Sequence, residues 1–115
     1  MRTFLFAGFL ALSIPVAQVL AAEPLYQKKT LLDNEQVHVF ELRFQPGGAS
    51  PLHSHDHSRV VYVLDGGVLE LAKPDRTAKR KELTPGKVVW RPAETHTVTN
   101  VGASAVRIVE IEVKR

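Results

Sequence analysis

The stretch His53-Ser54-His55-Asp56-His57-Ser58-Arg59 sets three imidazoles at every second position and closes on a cation. In an extended strand, residues two apart point the same way. His53 and His55, and by extension His57 and Arg59, would then share one face. The Cα atoms of successive histidines stand about 7 Å apart by strand rise, so their rings can converge on one cation. Neutral imidazoles joined by one or two further nitrogen or oxygen ligands suit a divalent transition metal: Zn, Fe, Mn, Cu or Ni. A third ligand has to come from elsewhere in the chain. His96 is the candidate, because it stands in RPAETHTVTN, just past the stop at Pro92 and at the start of a strand. His38 alternates with Phe40, Leu42 and Phe44 and reads as a hydrogen-bonded core or pocket-wall histidine.

Composition removes several other chemistries. The 115 residues contain no cysteine, which excludes thiol nucleophiles, redox pairs and thiolate metal sites. Ser54 and Ser58 show no Ser-His-Asp pattern. The densest basic run, KPDRTAKRK at residues 73–81, reads as a solvated turn. It has no interleaved aromatics on which bases could stack, so no nucleic-acid partner is expected.

The N-terminus carries its own signal. Arg2 is followed by an almost unbroken apolar segment from Phe4 to Leu20 and then by Ala21 and Ala22. A positive start, an apolar middle and small residues at the end make a secretory signal peptide. Residues 1–22 are therefore expected to be removed, leaving a periplasmic or secreted domain over residues 23–115 with no membrane span. Loss of Arg2 takes the formal charge from +3 to +2. A mature chain of about 93 residues forms one small domain, without a disulfide to staple it.

The elements that must position the histidines read as strands. QVHVFELRF (36–44) alternates, with His38, Phe40, Leu42 and Phe44 on one face, the mark of a half-buried strand. RVVYVL runs into Asp65-Gly66-Gly67, a hairpin signal, and VLELAK returns from it. KRKEL, KVVW, THTVTN and AVRIVEIEVK follow, separated by turns rich in Gly and Pro. In the last strand Glu110 and Glu112 are expected to face water. Trp90, Tyr62, Phe40 and Phe44 are expected in the core, and Glu94 in a solvated turn, with a supporting role beside His96 as the alternative. No 3.6-residue period follows the leader. Short strands recurring every 8–12 residues indicate an all-β antiparallel sandwich or barrel.

Two segments carry a family resemblance. PGGASPLHSHDHSRVVYVLDGG resembles the first motif of the cupin superfamily, with Gly47, His53, His55 and Gly66 at matching distances. PGKVVWRPAETHTVTN is similar to the second, through Gly86, Pro92, His96 and Asn100. Two departures stand out. Arg59 occupies the place of the family's glutamate, and Glu94 that of a glycine, one residue too close to His96. The resemblance implies a single jelly-roll (cupin) barrel of about five strands or fewer in each of two sheets, with the histidines in its mouth. It implies a metal on His53, His55 and His96 with the usual carboxylate missing, since a guanidinium cannot ligate. His57 is a candidate fourth ligand. It further implies a homodimer that covers an edge strand.

Three functions fit these residues. One is an exported metal-dependent enzyme, oxygenase-like or isomerase-like, acting on a small-molecule substrate. The second is a non-catalytic binding module in which Arg59 clamps an anionic ligand by paired hydrogen bonds. The third is a metal carrier without turnover.

Overall fold

The computed structural model describes residues 23–114 and, ahead of them, residues 3, 8 and 10–13. The expected leader and its cleavage site therefore lie almost wholly outside the described residues. Among those residues there are nine strands and no helix. They are β1 (Tyr26–Asp33), β2 (Val37–Phe44), β3 (His53–His55), β4 (Arg59–Asp65), β5 (Gly67–Ala72), β6 (Ala78–Leu83), β7 (Val88–Arg91), β8 (Glu94–Asn100) and β9 (Val106–Val113). One sheet has the order β1-β2-β9-β4-β7, the other β3-β8-β5-β6. The strand pairs are antiparallel.

Alternation decides what lies between the sheets. Phe40, Leu42 and Phe44 from β2, Val61 and Val63 from β4, Val106 and Ile108 from β9, and Leu69 and Val98 from the facing sheet make the core. Burying a side chain of this kind contributes about 1.5–3 kcal/mol. Glycine serves two of the corners. Gly47 and Gly86 have φ of 82° and 85°, a backbone region open to few L-residues other than Asn and Asp. Asn100 ties another corner. It is buried, its Nδ2 donates to Phe44 O at 2.9 Å and Ser104 O at 2.8 Å, and its Oδ1 accepts from Gly102 N at 3.0 Å.

Several expectations change. The Glu110 side of β9 is the inward side, paired in register with Phe40 and Val61. Glu110 is buried, and Glu112 reaches the histidines instead of water. Tyr62 and Trp90 are exposed, Trp90 to 61%, because they alternate with the inward Val61 and Val89 and so point off the outer face. Strand β1 was not foreseen. Its YQKKTLLD sequence is mostly exposed and rich in lysine, as edge strands commonly are.

Registers also give the inner face of the five-stranded sheet a polar end. His38, Glu112, Arg59 and Arg91 form one row across four strands. The next row is Phe40, Glu110, Val61 and Val89, and apolar residues follow. The polar row lies at the end of the sandwich where β3 brings its histidines.

Candidate metal centre

Strand β3 has only three residues, enough to set His53 and His55 on one face. It pairs with β8 so that His53 stands opposite His96 and His55 opposite Glu94. Three imidazoles from two distant parts of the sequence are thereby brought together. Their ring centroids are 4.7 Å apart for His53–His55, 4.7 Å for His53–His96 and 5.2 Å for His55–His96, all nearly edge-to-face. One nitrogen from each lies within 4.8 Å of the others. His57 lies in the turn after β3 and is not part of this group.

The outer nitrogens fix the tautomers. His53 Nδ1 is 2.8 Å from Pro51 O and His55 Nδ1 is 2.7 Å from Glu112 Oε1. A carbonyl and a carboxylate can only accept, so both Nδ1 atoms carry the proton. The two Nε2 atoms, 2.9 Å apart, then face one another as lone pairs when the rings are neutral. Two acceptors at that distance repel unless a cation sits with them. His96 Nδ1 is 2.8 Å from Glu94 Oε1 but out of line for a hydrogen bond, so Glu94 stands beside this ring without fixing its tautomer. A carbonyl or carboxylate behind each ring is the arrangement that orients metal-ligating histidines. The donor set therefore fits a divalent transition metal.

Burial favours the neutral form of His96 and His55. It is the main cause that holds His96 down to about 4, helped by the charges of His53, Arg59 and His55 and opposed by Glu94. Burial likewise lowers the pKa of His55, against the pull of Glu112. For Glu94, burial alone would raise the pKa. The bond from Arg91, the nearby His96 and Arg59 outweigh it and hold the carboxyl below its ordinary range.

Arg59 points inward and is 1% exposed. Its Nη1 donates to Pro92 O at 3.0 Å, its Nη2 is 3.4 Å from Glu94 Oε2 and its Nε is 3.4 Å from Glu110 Oε2. The two departures from the family pattern thus meet in space. The carboxylate missing at position 59 stands at position 94, behind His96, and Arg91 grips it with bonds of 2.6 and 3.1 Å. Glu94 opens β8 instead of lying in a solvated turn, and it takes the alternative place beside His96, because Arg59 reaches it from a distant strand.

A cavity of about 160 Å³ adjoins the histidines. Leu42, Val61, Leu69, Val98 and Ile108 are among its apolar walls, and His53, His96, Arg59, Arg91, Lys81, Lys87 and Glu110 also line it. A void of roughly 150 Å³ accommodates a benzene-sized molecule. His38 is outside it. Its Nε2 is 3.1 Å from Thr30 Oγ1, so it is hydrogen-bonded but not part of the pocket wall.

The model of the cupin domain matches residues 40–112. The chain belongs to the cupin family. This cupin is 38% identical over 84 residues to the β-alanine degradation protein BauB of Pseudomonas aeruginosa, a match spanning 72% of this chain and 87% of that protein. It is similar to the crystal structure of a cupin domain from Bordetella pertussis, with a TM-score of 0.74 and 34% identity over 83% of this chain and 99% of that one. The polyketide cyclase RemF from Streptomyces resistomycificus shares the fold, with a TM-score of 0.60 and 23% identity over 83% of this chain and 71% of that one.

The lowered histidine pKa values give a pH prediction. The unfolded chain takes up a proton on each such imidazole near pH 6.5, whereas folded His96 resists until about 4. Between those values the unfolded state binds more protons, so stability falls as pH falls. Chelator-treated protein should show a urea midpoint that drops between pH 7 and 4.5, and His96→Gln should make the slope shallower. A midpoint that is flat or rises on acidification contradicts this.

Proposed function

We propose that this cupin is an exported metal-dependent enzyme, holding a divalent transition metal on His53, His55 and His96 and acting on a small molecule in the adjoining cavity. The observation that carries the reading is the pair of Nε2 lone pairs, 2.9 Å apart, with both Nδ1 protons turned outward. A divalent ion there supplies Lewis acidity and coordination positions that three histidines leave free. The chain's residues do the rest. Glu112 orients His55, and Glu94 backs His96. Apolar walls keep water from the bound molecule. His53 and His96 line the cavity, so the metal side opens on the space where a substrate fits. A carrier without turnover needs no such space, which favours the enzyme. The name of the Pseudomonas relative, a degradation protein, supports small-molecule catabolism. The anion-clamp reading loses support because Glu94 and Glu110 already face the Arg59 guanidinium. The apolar leader at residues 1–22 supports export to the periplasm or beyond.

We also propose a homodimer through the outer face of the five-stranded sheet. Leu32, Val39, Ile111, Val60 and Trp90 form one apolar row across all five of its strands. Tyr62 and Val88 lie beside it, both exposed. Monomers rarely leave a contiguous patch of this kind open.

Protein purified from the exported fraction should contain about one metal per chain by elemental analysis. His53→Ala and His96→Ala should each remove most of it. Glu112→Gln should keep the stoichiometry but weaken affinity about 10–100-fold in a chelator competition. Full occupancy in both histidine variants overturns the metal reading. Azide or cyanide should perturb the spectrum of the cobalt-substituted centre; a spectrum that ignores both anions points to the carrier. In sedimentation, the protein should run as a dimer and Trp90→Glu as a monomer. A monomeric wild type removes the dimer.

A further inference from the structure

On one flank of the sandwich the two sheets are not joined. Strand β6 is the last of its sheet and β7 the last of the other, and no pairing links them among the described residues. Only residues 84–87 lie between them in the chain, which keeps both edges on the same side. Lys81 is in register with the buried Leu69, and residues directly opposite share a face, so Lys81 stands on the inner side of β6. On β7, Val89 and Arg91 are in register with the buried Val61 and Arg59. Lys87 joins their face by alternation. Lys81, Lys87 and Arg91 all line the cavity that adjoins the histidines.

The three cations differ in what they already hold. Arg91 is engaged by Glu94. Lys81 and Lys87 are exposed, and neither belongs to an ion pair among the described residues. Glu110 is the one carboxylate in the cavity lining, and it faces Arg59. Clustered charge of one sign beside low-dielectric walls concentrates ions of the other sign. Leu69, which faces Lys81 on one side, pairs with Asn100 on the other, four residues past His96. Lys87 stands four residues before Arg91, a member of the polar row at the histidine end. By strand rise, the Cα of each lysine is then about 13 Å from that end. A group held by the lysines is therefore not the group held at the histidines.

We infer that the cavity takes a small carboxylate with an apolar body, its charge held by Lys81 and Lys87 at the β6–β7 flank and its opposite end at His53 and His96. The body lies along Leu69, Val61 and Val98, within the benzene-sized room. An ammonium compound is repelled at the flank, and a neutral one gains nothing from the lysines. A carboxylate without the body reaches the lysines but leaves the apolar walls uncovered. The orientation keeps the carboxylate away from the histidines, so the far end of the molecule is the end presented to them. This assignment rests on the reading of the cavity as a substrate pocket and does not depend on which metal is bound.

Four probes decide it: hexanoate, hexanamide, hexylammonium and acetate. Each is titrated by NMR into the full-length protein, as purified and after chelator treatment. Hexanoate should bind at least about fivefold more tightly than hexanamide in both preparations, a modest gap because each exposed ion pair contributes little. Acetate should bind more weakly than hexanoate, and hexylammonium most weakly of the four. Lys81→Gln combined with Lys87→Gln should close the gap between hexanoate and hexanamide and leave hexanamide binding unchanged. Lys29→Gln combined with Lys73→Gln, the same loss of charge elsewhere on the surface, should keep the gap. In the chelator-treated protein, nuclear Overhauser contacts should join the ring protons of His53 or His96 to the methyl end of hexanoate. Equal binding of hexanoate and hexanamide overturns the assignment, as does a gap that survives loss of both lysines. A gap seen only before chelation also overturns it, because the carboxylate then sits on a metal. So do histidine contacts to the carboxylate end, or hexanoate that binds neither preparation. Elemental analysis of the same samples judges the metal separately, so the two readings fail independently.

Discussion

Everything in the site depends on two imidazole lone pairs forced to face each other. The Pro51 carbonyl and the Glu112 carboxylate hold the outer protons of His53 and His55, and the inner nitrogens are left 2.9 Å apart. Three structural features enforce this. Strand β3 is just long enough to present both rings on one face. The β3–β8 register sets His96 against His53. The β2–β9–β4 registers deliver Glu112 to the end of the sandwich where the rings meet. A shift of one residue in any of these pairings would turn the side chains to the opposite face.

Burying a guanidinium beside three imidazoles needs compensation, since an unpaired buried charge is strongly unfavourable. Here Glu94 and Glu110 supply it, each 3.4 Å from Arg59, while the Pro92 carbonyl takes a further proton. The exchange moves a carboxylate from direct reach of a metal to the rear of His96. The centre is thereby left with three neutral nitrogens. A metal bound there would keep more of its positive charge than one with a carboxylate ligand, and more positions for an incoming molecule.

The histidine triad was legible in the sequence because two independent signals agreed: period-two spacing in HSH, and the Gly, Pro, His and Asn spacing of the second motif. The strands from β2 onward were legible for the same reason. The carboxylates were not. Strand β9 carries Val106 and Ile108 on one side and Val109, Ile111 and Val113 on the other, so both faces look apolar and alternation cannot say which is inside. The neighbours β2 and β4 decide it, and they bury Glu110. Tyr62 and Trp90 were misplaced because large apolar residues read as core, whereas the row they join crosses the outer face. The supporting role of Glu94 stood only as the alternative, because its partner Arg59 lies 35 positions away in the chain.

The most direct test of the account is a long-range proton–nitrogen NMR spectrum of the histidine rings during zinc addition. The prediction is that His53 and His55 keep their protons on Nδ1 throughout, and that the Nε2 resonances of His53, His55 and His96 move together to metal-bound positions at one equivalent. Protons on Nε2 in the zinc-treated protein, or ring nitrogens that do not respond to the metal, would contradict it.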